Sequence, residues 1–164
     1  MEVYRMLPEG TRAELINDTL YMSPAPTLGH QELIVKLVVQ ISRLLEKSRA
    51  GKVFISPVDL FLDSKNAFQP DIVFVSTANK SILHEDGIYG AANLIIEVLS
   101  PGSKQNDFDK KKKAYEKAGV KEYWIVDPMT KISTGFQLKR KEFLPLKEEK
   151  GKLTSLLLKH TFKF

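Results

Sequence analysis

Asn93-Leu94-Ile95-Ile96-Glu97-Val98-Leu99 is closed by Ser100-Pro101-Gly102, and from Leu94 to Leu99 its only polar residue is Glu97. An apolar run of this length without alternation predicts a strand covered on both faces. Pro101 and Gly102 end it. Asn106 then offers an N-cap and Gly119 a left-handed C-terminal residue, which predicts a helix from about 106 to 118. Tyr123-Trp124-Ile125-Val126, stopped by Asp127-Pro128, is a second core strand. Strand, helix and strand in this order predict a mixed α/β domain built on one central sheet.

Working outward, Glu14-Leu15-Ile16 and Thr19-Leu20-Tyr21-Met22 flank Asn17-Asp18 as a hairpin flanks its turn, and Ser23-Pro24-Ala25-Pro26 ends it. Leu33, Ile34, Leu37, Val38, Ile41, Leu44 and Leu45 recur at helical spacing, predicting a long helix over 28–48 with Gly51 just beyond its end. Residues 52–55 and 58–62, broken by Pro57, and 72–75, after Pro70-Asp71, read as strands. The tail from Lys131 to Phe164 predicts two or three peripheral strands. No repeat, low-complexity tract or linker divides the chain, so residues 1–164 are expected to form a single domain.

Composition works by exclusion. The absence of cysteine removes disulfides, thiolate nucleophiles and cysteine zinc sites, and suits a reducing compartment. MEVYRMLPEG has no signal-peptide core and no apolar run approaches a bilayer span, so a cytoplasmic protein with no membrane partner is expected. Lys and Arg number 25 against 20 Asp and Glu; the surplus admits a polyanion such as nucleic acid as partner, although charge alone is more simply a lysine-rich surface. His84 and His160 make no ligand spacing with each other or with His30, Gly-rich phosphate loops and GxSxG are absent, and Ser100 has no histidine base nearby.

The informative residues are those that break the local pattern. A carboxylate inside the run around Glu97 is costly unless it is paired or holds a cation, though alternation could turn it to water or to a lysine. Asp71 opens the apolar strand Ile72-Val73-Phe74-Val75, where an ordinary turn residue would also serve. On the second helix, at about 100° per residue, Phe108, Ala114, Tyr115 and Ala118 define an apolar face with Lys111 at its centre and Asp107 one turn earlier. Lys110, Lys113 and Lys117 point outward and Lys112 sits at the edge. The plain alternatives are a favourable first-turn acid for Asp107 and a lysine stem lying over apolar surface for Lys111. His30 is expected to be a capped or core-edge histidine, and Glu32 to be solvated.

Gln69-Pro70-Asp71, Ile95-Ile96-Glu97-Val98-Leu99-Ser100-Pro101, then Asp107, Lys111 and Tyr115, then Gly119-Val120-Lys121-Glu122-Tyr123-Trp124-Ile125-Val126-Asp127-Pro128 together resemble the Uma-type family of restriction endonucleases, within the PD-(D/E)xK superfamily. Glu14-Leu15-Ile16, Ser23-Pro24 and His30 extend the match over most of the chain. The resemblance implies a restriction-endonuclease-like fold, a central mixed sheet flanked by helices with two acids at adjacent strand ends. It also implies a Mg2+-dependent nuclease (Mn2+ as alternative ion) that hydrolyses DNA phosphodiester bonds, with a homodimer on duplex as one arrangement. Asp71 matches the motif Asp and Glu97 the second acid; these two and the Val98 carbonyl would hold the ion. The chain departs at the third motif position, where Leu99 replaces lysine. Lys111, singled out by the helical face alone, is the expected substitute, orienting the attacking water or stabilising charge on the phosphorane, with Asp107 as a further acid or as its anchor. Two other functions stay open: a nuclease fold kept as a nucleic-acid-binding or scaffold module without cleavage, and a metal-dependent hydrolase of another substrate.

Overall fold

The computed structural model describes residues 1–164 and sets the two core strands side by side, in parallel, inside a sheet. In chain order the strands are β1 (Ala13–Ile16), β2 (Thr19–Met22), β3 (Gly51–Ile55), β4 (Leu60–Asp63), β5 (Asn66–Phe68), β6 (Ile72–Ser76), β7 (Leu83–His84), β8 (Gly87–Tyr89) and β9 (Leu94–Val98). They continue with β10 (Glu122–Val126), β11 (Ile132–Lys139), β12 (Glu142–Pro145), β13 (Glu149–Lys150), β14 (Lys152–Ser155) and β15 (His160–Lys163). The helices are α1 (Glu2–Arg5), α2 (Leu28–Ser48) and α3 (Lys112–Ala118), the last continuing directly from a π-helical segment, Asn106–Lys111.

The central sheet runs β12-β11-β10-β9-β6-β3, with β13 pairing onto β11. Only β9 and β10 are parallel in it, because the helical segment between them carries the chain back across the sheet. Alternation along β9 then sorts its residues into two layers. Leu94, Ile96 and Val98 pack towards Leu33, Leu37 and Ile41 of α2. Ile95 and Leu99 pack with Tyr115 of α3 and with Ile16, Leu60 and Phe68 of a second sheet, β2-β1-β5-β4-β8-β7. Glu97 falls in the same register as Ile95 and Leu99 and faces this second layer. The result is the α/β architecture predicted from the sequence, a mixed sheet flanked by helices. No helix is long and apolar enough to cross a membrane.

The hairpin and the long helix lie where the sequence predicts them, with Asn17 and Asp18 both at positive φ in the turn. Four details differ. The left-handed cap of α2 is Arg49, at φ 53°, while Gly51 opens β3 opposite Ser76. Asn106 is not a cap: helical turns begin at Lys104, because Ser103 closes the entry by accepting from the Ser100 N–H at 3.0 Å and offering its carbonyl to the Asp107 N–H at 3.0 Å. The strand expected at 58–62 starts at Leu60 and belongs to the second sheet. The tail forms five strands, and β11 is no peripheral element but the antiparallel neighbour of β10. Gly135 in its middle weakens the strand signal; it is there because the Trp124 ring lies over it, and an added Cβ would stand 2.5 Å from Trp124 Cη2.

Candidate active site

The register of β6 and β9 pairs Val73 with Ile95 and Ile72 with Ile96, so one position further out Asp71 stands against Glu97. Each carboxylate latches onto the other's strand. The Asp71 N–H donates to Glu97 Oε2 at 3.3 Å, and the Val98 N–H donates to Asp71 Oδ2 at 2.8 Å. Asp71 Oδ2 also lies 3.2 Å from His30 Nε2, which is 2.9 Å from the Val98 carbonyl. Asp71 Oδ1 has no protein partner.

Lys111 reaches these acids from the helical crossover. Asp107, Lys111 and Tyr115 are its buried residues, at a four-residue spacing that keeps them on one side through both the π-helical and the α-helical turns. Lys111 Nζ lies 2.8 Å from Glu14 Oε1, 3.2 Å from Glu97 Oε1 and 3.3 Å from Asp107 Oδ1. The last is an ion contact without hydrogen-bond geometry, and Asp107 Oδ1 has no other partner. The Tyr115 hydroxyl donates to Glu97 Oε1 at 2.9 Å. Leu99, where the superfamily carries lysine, is packed in the apolar layer with Tyr115. Lys111 therefore brings an ammonium to the sheet face that a lysine at 99 would have occupied.

Burial sets the electrostatics. It pushes the Glu97 carboxyl well above the usual range, with Lys111 pulling the other way and Asp107, Asp71 and Glu14 adding to the rise. Asp107 is raised for the same first reason, again opposed by Lys111. For Lys111 burial favours the neutral amine, but Glu14, Glu97 and Asp107 outweigh it and hold the ammonium well above its ordinary value. Burial likewise works against a charged His30, and Asp71 with the Val98 carbonyl more than offsets it, raising the imidazole. Protonation would, however, add a buried Nδ1–H with no acceptor, so the neutral Nε2–H tautomer already satisfies both of its contacts.

The structure brings Asp71, Glu97, Val98, Asp107 and Lys111 to one cavity of about 370 Å³, lined mainly by polar and charged residues. It adds three residues the sequence reading left out of the site. His30 is buried against Asp71; its signal is its place on the stripe of Ile34, Leu37 and Ile41. Glu14 shares the face of Ile16 on β1 and pairs with Lys111, and Arg12 lines the cavity one alternation earlier. Lys110 does not point freely outward: it donates to the Tyr21 hydroxyl at 2.6 Å and lies over that ring. Glu32 is solvated, paired with Lys36.

No three His, Cys, Asp or Glu side chains form a metal cage. A hard cation needs less, since Mg2+ is usually held by one or two carboxylates with water and phosphate completing its shell. Four carboxyl groups share this cavity with one lysine, a surplus of negative charge that a cation would offset. The all-oxygen donors Asp71, Glu97 and the Val98 carbonyl fit such an ion.

Comparison with known proteins bears on the family and the fold. Residues 1–162 match the model of the family Uma2, described as "Putative restriction endonuclease". A crystal structure of a "putative nuclease belonging to DUF820" from Anabaena variabilis superposes with a TM-score of 0.78 at 19% identity, covering 96% of this chain and 89% of that one. No curated protein matches the chain. With all but its last two residues spanned by the family model, the chain belongs to the Uma2 family.

Proposed function

We propose that the protein is a metal-dependent endonuclease that hydrolyses DNA phosphodiester bonds with Mg2+ or Mn2+. The observation that carries this is the meeting of Asp71 and Glu97 on opposed strand positions, with the Lys111 ammonium delivered to the same face. When bound, the ion supplies Lewis acidity at the phosphate and acidifies the attacking water. The chain's own groups do the rest. The Val98 N–H and His30 hold Asp71 Oδ2, which leaves Oδ1 to face the ligand. Tyr115 and Lys111 fix Glu97 through Oε1. Lys111, anchored by Glu14 and Asp107, offsets negative charge gathering at the phosphate.

Calorimetric titration with Mn2+, beside cleavage of plasmid DNA in Mg2+ or Mn2+, tests the proposal. Asp71→Ala and Glu97→Ala together should remove both the heat of binding and cleavage; binding that survives the double change places the ion elsewhere. The reading without cleavage draws on two observations: Lys111 is held by three carboxylates, and Leu99 has taken the motif lysine's place. A wild-type protein that binds nucleic acid but cleaves neither DNA nor RNA would establish it.

A further inference from the structure

We propose that Arg12 is the residue that grips the substrate phosphate in this cavity, an assignment that rests on the nuclease reading and deepens it. Three cationic or potentially cationic side chains line the cavity: Arg12, His30 and Lys111. Two are committed. Lys111 is shared among Glu14, Glu97 and Asp107, and His30 Nε2 is held between Asp71 Oδ2 and the Val98 carbonyl. Arg12 alone makes no ion pair, although four carboxylates line the same space. Its Nε is buried and has no hydrogen-bond partner.

An N–H that loses water without gaining an acceptor is costly, and in this half-buried side chain that N–H is Nε. Such a donor is expected of an arginine whose acceptor arrives with the ligand. The backbone aims it there. The Arg12 carbonyl accepts from the Ser23 N–H at 3.0 Å, which ties it to the end of the β1–β2 hairpin. The two-residue period of a strand then turns Arg12 to the side that Glu14 shows to Lys111 and Ile16 shows to the core. A guanidinium can meet two oxygens of a phosphodiester in a fork that a lysine cannot form.

Anisotropy titrations of a short labelled DNA duplex, with Ca2+ in place of Mg2+ to limit turnover, separate binding from cleavage. Arg12→Gln should lower the slope of log K against log[salt] by about 0.9, the loss of one phosphate contact. It should also reduce kcat/KM for cleavage in Mg2+ by ~10²-fold, the usual scale for removing one charge-stabilising donor. Arg12→Lys should keep the salt slope and recover only part of the rate, because it restores the charge without the fork. Since Arg12 makes no ion pair and its Nε has no partner to lose, its variants should melt no lower than the wild type, so a loss cannot be put down to unfolding. If Arg12→Gln keeps both slope and rate, the inference is wrong and the nuclease reading stands. If no protein cleaves but the slope falls in Arg12→Gln, the phosphate contact stands and the nuclease reading falls. An unchanged slope in that case overturns both.

Discussion

Replacing Lys111 by alanine removes the only ammonium from a group of buried carboxylates. Glu14, Glu97 and Asp107 all lie within ion-pair distance of it, at 2.8, 3.2 and 3.3 Å. Breaking a buried pair by deleting one partner costs about 3–5 kcal/mol, since the remaining charge stays desolvated. In a chain of this length each kcal/mol moves the midpoint by roughly 2–4 °C, so Lys111→Ala should melt on the order of 10 °C below the wild type. The assay is thermal unfolding by circular dichroism at neutral pH in chelator, where no cation can replace the ammonium. Glu14→Gln added to Lys111→Ala removes one stranded charge and should recover ~1 kcal/mol, a coupling of the size found between residues in contact. Lys113→Ala is the control, because that side chain is exposed and pairs only with Asp109 at the surface; its midpoint should not move. A Lys111→Ala protein melting within a degree or two of the wild type would mean that Lys111 does not neutralise the site. The same arithmetic governs how cleavage by this variant is measured: activity has to be compared well below its midpoint, or loss of fold is counted as loss of chemistry.

Gly135→Ala should cost about 1–3 kcal/mol through overpacking, since the new methyl would sit 2.5 Å from the Trp124 ring; fluorescence of the sole tryptophan reports it, and an unchanged spectrum and midpoint would contradict it. Asp127→Ala removes an acceptor that takes the Met129 N–H at 2.8 Å and the Thr130 N–H at 3.2 Å, and should cost ~1 kcal/mol in denaturant melts at neutral pH. Partial burial favours the neutral Asp127 acid, but these backbone donors win and hold its pKa below the ordinary value. Its contribution is therefore present above the unfolded-state pKa and lost as pH falls through the folded-state one, so the gap between variant and wild type should close in acid.

What the sequence made legible follows from which patterns are local. Ile96-Glu97-Val98 and Ile72-Val73-Phe74 are apolar runs interrupted or preceded by an acid, and strand burial can be read from such runs alone. Lys111 could be found because helical periodicity is also local, and the four-residue spacing of Asp107, Lys111 and Tyr115 tolerates the π-helical turns that the sequence did not announce. Glu14 could not be placed this way, and His30 only as far as its helical stripe. Each owes its role to a partner far along the chain, Asp71 for one and Lys111 for the other, and each has an ordinary local explanation. The strand β11 was hidden for a similar reason: the glycine that weakens its signal is required by a tryptophan on the neighbouring strand.

The helical crossover between β9 and β10 has a consequence for how each molecule comes to life. A ribosome releases the chain from its N-terminus at about 5–20 residues per second. Arg12, Glu14, His30, Asp71, Glu97 and Asp107 therefore all leave the tunnel before Lys111, and β10 and β11, which close the sheet beyond the crossover, later still. Until the crossover is made, the acids have no buried ammonium to gather around. A newborn chain thus presents Glu14, Glu97 and Asp107 before the ammonium that balances them in the folded site.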